Sequence, residues 1–322
     1  MNSTPSTRVL VLAGGISHER DVSLRSGRRV ADGLAAQGVD VTLRDPDASL
    51  LAYLVENPPD VVWPALHGAS GEDGALRGIL DFLDIPYVGS RAGASRLAWD
   101  KPTAKSLVAR VGIPTPRSIT LPRDAFRELG AHSILESIAG QLPVPLVVKP
   151  ARGGSAQGVS LVHDRDELPR AMVEAYTYCD VALIERMVSG TEIAVGVIDN
   201  GDGPATLPAV EIEPLSGVYS FEARYNAGET LFYTPARLDD EVSARAAEVA
   251  LRAHEALGLR HLSRVDLIVD ADGTPWFLEA NVLPGLTETS LLPQALEAAG
   301  HDLGSVYLAL AEAAMREHPL VE

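Results

Sequence analysis

At 322 residues the chain is long enough for two or three domains with substantial cores, and 46% hydrophobic with 22% charged residues is the composition of a globular protein, not a disordered one. With 27 basic against 44 acidic residues it carries a net charge of −17, which argues against a nucleic-acid surface and an anionic membrane, although a nucleotide needs only a local cluster of lysines and amides. Cys179 is the only cysteine, so an internal disulfide and a cysteine-based zinc site are excluded; no apolar run reaches the roughly 18 residues of a membrane span, the first residues lack a signal peptide's apolar stretch, and the cytoplasm is the expected location.

Residues 8–98 alternate short apolar runs with helical patterns. Runs at 9–13 and 39–43 are predicted as buried parallel strands, and 61–65 as a third whose end is weakened by Pro64. Between the first two, a helix is predicted over 26–37, with Val30 and Leu34 at helical spacing and Gly38 as its stop. This is a doubly wound α/β pattern, in which ligands sit outside the carboxyl ends of the strands. Two stretches fall there, Gly-Gly-Ile-Ser-His-Glu-Arg at 14–20 and His-Gly-Ala-Ser-Gly-Glu-Asp-Gly at 67–74. Taken alone, they also fit glycine turns with solvated charges. Neither GxxxxGK[ST] nor GxGxxG occurs, so neither a P-loop nor a dinucleotide-binding turn is supported.

From Asp100 the pattern changes. Lys101 opens a helix that ends near Gly112, where Ile113-Pro114-Thr115-Pro116 breaks it, and 121–143 is helical and connecting material. A strand at 146–148 runs into Lys149-Pro150, a glycine-rich stretch at 151–158 and a second strand at 159–162. A glycine loop between antiparallel strands can close over phosphates with its N–H groups, and Lys149 adds positive charge; such loops are common. A strand at 181–185 passes through 186–190 into another at 192–198. That connector, with a carboxylate at each end, fits an adenine and its ribose, and fits a plain linker equally well. The long irregular segment 216–235 is expected to be a functional cover, 239–257 an amphipathic helix, and the tail from Leu291 more of the same.

Residues 264–281 carry the densest chemistry. Two apolar runs flank Asp272-Gly273, which predicts a hairpin with a two-residue type I′ turn. That register sets Asp266 opposite Glu279 and Arg264 opposite Asn281 on one face, with Val265, Leu267, Leu278 and Ala280 on the other. Carboxylates facing each other across a ladder repel unless a cation lies between them, and oxygen ligands suit Mg²⁺ or Mn²⁺, not zinc. An acidic hairpin face that is simply solvated is the alternative. Pro275 cannot donate to a ladder and belongs at an edge or at a strand's first residue. Beyond Asn281 the chain leaves through Pro284-Gly285 and brings N–H groups and hydroxyls beside the proposed metal. Together with the glycine loop, this points to ATP.

GGxSxERxVSL at 14–24, LHGxxGEDG at 66–74, the Lys149 loop, EARY at 222–225, RVDL at 264–267 and LEANxxPG at 278–285 resemble the D-alanine–D-alanine ligases of the ATP-grasp superfamily. The resemblance covers nearly the whole chain in the right order. It implies an α/β protein of ATP-grasp fold with an N-terminal doubly wound domain: a substrate-binding domain at 1–98, a central subdomain with the glycine loop at 99–190, and a C-terminal subdomain with the metal and oxyanion site at 191–322. It also implies an enzyme that joins two D-alanines with ATP through an acyl phosphate for peptidoglycan synthesis, using a pair of Mg²⁺ or Mn²⁺ ions. A homodimer is left open.

Carried over by position, the resemblance implies that Lys101, Lys149, Glu185, Val188 and Glu192 bind ATP, with Gly154 and Ser155 in the loop over its phosphates. Asp266, Glu279 and Asn281 would hold the metal. Glu19 would anchor the first ammonium, with His67 nearby; Arg264 and the Gly285 amide would stabilise the tetrahedral oxyanion; Ser290 would hold the second carboxylate. Ser155 and Tyr225 would join Glu19 in a hydrogen-bonded set that closes the long loop, and Tyr225 implies an amine nucleophile in preference to a hydroxy acid. Ala156, where many relatives have a second serine, and Val282-Leu283, where a threonine often follows the asparagine, depart from the pattern. A ligase for another D-amino acid and a non-catalytic nucleotide-binding module are the competing readings. The second has no use for Arg264 beside a metal.

Overall fold

The computed structural model describes residues 7–220, 223, 224, 226 and 228–317. Its first sheet is parallel, with β1 (Arg8–Leu12) between β2 (Asp40–Arg44) and β3 (Val61–Pro64). From Val9 onward β1 is buried, as is all of β3, as expected of parallel strands covered on both faces. β2 corrects the expectation of a buried strand: it lies at one edge of the sheet with none of its residues buried and Leu43 42% exposed, whereas β3 at the other edge is covered. The helix α1 (Arg20–Ala36) also starts earlier than predicted. Its buried stripe is Ser23, Ser26, Gly27, Val30 and Leu34. The first half of that stripe is small because α1 lies against the end of β1; a Cβ on Gly27 would come 2.2 Å from the Ala13 Cβ. Apolar periodicity does not register a face made of serine and glycine.

The second sheet is antiparallel, built from β4 (Ser118–Pro122), β5 (Leu146–Pro150), β6 (Ser160–Val162) and β7 (Val181–Arg186) in the order β4-β7-β5-β6. The third contains β8 (Thr191–Ile198), β9 (Ala205–Thr206), β10 (Val210–Pro214), β11 (Thr230–Tyr233), β12 (Leu262–Val269) and β13 (Pro275–Asn281). Its order is β11-β10-β8-β12-β13, with β9 on β8. The predicted cover at 216–235 thus includes an edge strand, β11; Glu222 and Tyr225 lie outside the described residues.

One core cluster joins the first and third sheets. Val9, Val11 and Trp63 pack with Val210 and Ile212 and with Leu292, Tyr307 and Leu310 from the C-terminal helices Leu291–Ala298 and Leu303–Arg316. Trp63 and Tyr307 meet edge to face at 5.3 Å, an arrangement worth about 1 kcal/mol beyond the area it buries. The C-terminal helices therefore fasten the first sheet to the third.

The β12–β13 hairpin reaches its expected pairing by an unexpected path. Arg264 faces Asn281 and Asp266 faces Glu279, but Leu267 faces Phe277, so the register shifts by one residue at a bulge. The turn differs as well. The Asp270 N–H donates to the Thr274 carbonyl at 3.1 Å, and the Gly273 N–H to the Asp270 carbonyl at 3.0 Å, with Gly273 at φ 74°. This is a three-residue loop with a left-handed glycine, not the predicted two-residue turn. The loop and the bulge each move the register by one and cancel at the candidate residues Arg264, Asp266, Glu279 and Asn281. Leu278, expected beside Leu267, lines a cavity, and Phe277 takes its place in the core with Val265, Leu267 and Ala280. Pro275 is the first residue of its strand.

Candidate active site

The loops after β1 and β3, the glycine loop after β5 and the far end of the β12–β13 hairpin converge on two adjoining cavities of about 370 and 110 Å³. Gly154, Tyr219, Arg224 and Glu279 line both.

The larger cavity has an apolar wall that includes Val147, Met187, Val188, Ile268 and Leu278, suited to a flat base, and a charged end. There Glu185 on β7 pairs with both Lys149 on β5 and Lys105, and all three side chains are buried. Burial opposes the Glu185 charge, but Lys149 and Lys105 outweigh it and hold the carboxyl below its ordinary range. The Lys149 ammonium is held above its own range against burial by Glu185 and Glu279, whereas burial lowers Lys105. Two lysines on one carboxylate leave the cluster with a net positive charge; Lys105 saturates Glu185 from behind while Lys149 lines the cavity, a cation suited to phosphates. Lys101 donates to the Gly153 carbonyl at 2.6 Å and lies 3.1 Å from Glu279, which ties the glycine loop to the hairpin. Sequence reasoning missed Lys105, though a signal existed: Lys101, Ala104, Lys105 and Val108 form one buried face of the helix Lys101–Arg110.

Glu192 and Asp266 line the larger cavity, and Glu279 lines both. Arg264 grips Asp266 through two hydrogen bonds of 2.7 and 2.8 Å, and the Asn281 amide donates to the same carboxylate at 3.1 Å. Burial works against the Arg264 charge, but Asp266 overrides it and raises the pKa further. Burial likewise opposes the Glu279 charge, yet Lys101, Lys149, Arg224 and Arg264 pull its pKa down to about 2. Glu192 is pushed up to about 7 by burial, with Arg224 opposing and Asp266 and Glu279 adding repulsion. Among the described residues no three His, Cys, Asp or Glu side chains form a metal cage. The candidate set is instead two carboxylates and an amide carbonyl on one hairpin face. These hard oxygen donors fit Mg²⁺, which takes one or two carboxylates and fills its octahedron with phosphate oxygens and water.

The smaller cavity is polar. Glu19, immediately before α1, accepts a hydrogen bond from the Ser155 hydroxyl. A Cβ on Gly154 would lie 3.3 Å from both Glu19 oxygens, so glycine there lets the loop close onto the carboxylate. Tyr225, the expected third member of this set, lies outside the described residues. His67 is buried, which lowers its pKa against the pull of Glu19 and keeps the ring neutral. Arg264, Gly285 and Ser290 line this cavity as well. The Ser290 hydroxyl accepts from the Thr287 N–H at 3.0 Å, and a Cβ on Gly285 would come within 2.7 Å of it. Three further residues had not been singled out. Glu72 is buried, accepts the Gly68 N–H at 2.9 Å, and is pushed up to about 8 by burial and then by Glu19, so it is a neutral acid at pH 7. Arg224, inside the EARY motif, stacks over Tyr219 at 4.1 Å where the cavities meet. Arg25 reaches the smaller cavity from α1, a direction that only the packed helix reveals.

The chain matches two family descriptions, D-ala D-ala ligase N-terminus over residues 50–90 and D-ala D-ala ligase C-terminus over 107–310. It is 43% identical to the D-alanine–D-alanine ligase of Gloeobacter violaceus over 299 residues, 92% of this chain and 95% of that protein. The crystal structure of D-alanine–D-alanine ligase from Bacillus anthracis superposes with a TM-score of 0.84 at 30% identity, over 97% of this chain and 99% of that one. VanG D-Ala:D-Ser ligase from Enterococcus faecalis superposes with a TM-score of 0.83 at 28% identity, over 96% and 99%. Matching motifs, matching fold and a relative of this identity over most of both chains place the protein in the D-alanine–D-alanine ligase family, with its ATP-grasp fold.

Proposed function

We propose that the protein is an ADP-forming ligase that joins two D-alanines into D-alanyl-D-alanine, in the cytoplasm and for peptidoglycan synthesis. Supporting this reading above all is the junction of the two cavities. A cationic, apolar-walled site of nucleotide size opens onto a small polar site, and the Arg264–Asp266–Glu279 group stands between them. The division into 1–98, 99–190 and 191–322 is part of the same proposal; the first unit supplies Glu19 and His67, the second Lys101, Lys149 and Glu185, the third the hairpin.

In this mechanism Val188 and its apolar neighbours seat the base, and Glu192 receives the ribose. Lys101, Lys149 and the glycine-loop amides hold the phosphates. Asp266, Glu279 and Asn281 would hold magnesium or manganese, which would neutralise charge on the phosphoryl group. Glu19 orients the first D-alanine through its ammonium, so that its carboxylate meets the γ-phosphate; phosphoryl transfer gives D-alanyl phosphate and ADP. The ammonium of the second D-alanine, held through its carboxylate by Ser290, gives a proton to water and attacks the carbonyl carbon as the amine; the carbon–oxygen bond to phosphate breaks, and the nitrogen's second proton leaves with the phosphate as the peptide bond forms. Arg264 and the Gly285 N–H stabilise the tetrahedral oxyanion. Ser155 on Glu19 keeps the loop closed and water out, which protects the acyl phosphate from hydrolysis.

The test is an incubation with ATP, Mg²⁺ and D-alanine, measuring ADP and identifying products. One D-alanyl-D-alanine per ADP is expected. ADP formation without dipeptide, or no dependence on D-alanine, would overturn the reading. Leu283, one of the altered positions, lines the smaller cavity, so D-serine is offered in competition; predominant D-alanyl-D-serine would select the other acceptor.

A further inference from the structure

The backbone around Gly285 is held by two residues from the first sheet's side of the molecule. The Leu286 N–H donates to the Ser26 hydroxyl oxygen at 3.1 Å, and that hydroxyl lies 3.3 Å from His67 Nε2. The Leu283 backbone also acts on the His67 ring and raises its pKa against burial. Ser26 accepts from Leu286 and keeps its own proton and a second lone pair, so it can pair with Nε2 in either tautomer of the ring. The result is a chain of contacts, Leu286 to Ser26 to His67 to the Leu283 backbone, that holds the turn on both sides of Gly285. Ser26 is fully buried in α1, His67 follows β3, and the turn follows β13.

We infer that Ser26 is a positioning residue for the ligation: through Leu286 and His67 it fixes the 283–286 turn so that the Gly285 amide faces the tetrahedral centre. This rests on the assignment of Gly285 and Arg264 as oxyanion donors. A buried serine in a helix is ordinarily satisfied by its own preceding turn, where its hydroxyl can reach the carbonyl four residues back. Ser26 instead spends its hydrogen bonds on a backbone amide 260 residues away and on a site histidine. Oxyanion donors act through preorganisation, and a displacement of about 1 Å can cost about a hundredfold in rate. A tie to either flank of Gly285 therefore bears on turnover and not on nucleotide affinity.

The experiment compares wild type, Ser26→Ala, Ser26→Thr and Ser26→Cys, measuring kcat and the KM for ATP and for D-alanine well below each variant's Tm. Ser26→Ala should lower kcat by about tenfold to a hundredfold with the KM for ATP within about twofold, short of the loss on deleting an oxyanion donor. Ser26→Thr keeps the hydroxyl and should recover most of the loss; if threonine does not fold there, Ser26→Cys, a weaker hydrogen-bonding group, should fall between. In a His67→Gln background Ser26→Ala should cost little more, since both act on one turn. A kcat within about twofold of wild type for Ser26→Ala would overturn the inference, as would a parallel decline of kcat, ATP affinity and Tm. The underlying reading fails separately: if Arg264→Lys leaves kcat unchanged, or wild type makes no dipeptide, the oxyanion assignment falls whatever Ser26 does.

Discussion

The two cavities are held together by different physics. The larger is lined from the second and third sheets, and its charged end is fixed by ion pairs, the buried Glu185 with Lys105 and Lys149 and the partly buried Glu279 with Lys101. The smaller is assembled from segments that no single sheet owns: the start of α1, the loop after β3, the glycine loop and the 283–290 turn. Apart from the Arg264–Asp266 pair on its hairpin side, it is tied by hydrogen bonds to neutral or backbone groups, such as Ser26 to Leu286 and Glu72 to Gly68. Each such bond contributes about 1 kcal/mol, whereas breaking a buried ion pair leaves a desolvated charge and costs several times more. Nucleotide binding should therefore survive damage that abolishes the amino-acid chemistry, because one site is locally rigid and the other depends on how the parts dock.

The hardest test of that separation is Arg264→Lys. The charge survives, but the fork that holds Asp266, and that we propose faces the oxyanion, does not. We expect kcat to fall by about 10²- to 10³-fold with ATP affinity changed by less than about threefold; an equal fall in both would erase the distinction between the cavities. Lys149→Ala attacks the other side. It removes a cation facing the phosphates, and ATP should bind about 10- to 100-fold more weakly by calorimetry while the KM for D-alanine moves little. Equal losses for both ligands would mean that the two sites are one cooperative unit.

Gly154→Ala probes the contact between them. Its methyl would press on both Glu19 oxygens at 3.3 Å, and the glycine loop must give by a few tenths of an ångström. The KM for D-alanine should rise by roughly fivefold, equivalent to about 1 kcal/mol of overpacking, with little change for ATP. The smallest effect is one of stability. Glu72, at about 8, binds a proton in the native state that the unfolded chain releases near 4.5. Its contribution is therefore complete below about pH 4.5 and is lost as pH rises through about 8, because the native state holds more protons in that window. Burial also lowers the pKa of His67, His254 and His261, whose contributions to stability grow as pH rises to about 6.5, so the decline is read above that: urea midpoints of the wild type should fall between about pH 7 and 8.5, and Glu72→Gln should flatten the fall. Glu192, raised to about 7, acts with the same sign and accounts for slope that remains. An unchanged slope in Glu72→Gln would remove Glu72 as a neutral acid of the smaller cavity.

Much of the site was legible because its parts are local. Asp266 and Glu279 belong to one hairpin, and the period of a strand puts them on one face. Lys149 sits at the foot of its own glycine loop, and Glu19 and His67 follow strands whose carboxyl ends must carry the ligands. Even there the route was partly wrong, since the three-residue turn and the bulge were both unforeseen and only their cancellation preserved the pairing. The extension of α1 back to Arg20 was hidden because small residues, not apolar ones, mark its close approach to β1. Which residues share a strand face or a loop could be read from the chain, because those relations depend on backbone periods a few residues long. That Lys105 shares Glu185 with Lys149, that burial raises Glu72, and that Ser26 holds a turn 260 residues away came from packing alone. Each of those depends on burial and on distances between segments far apart in the chain, and no local period encodes them.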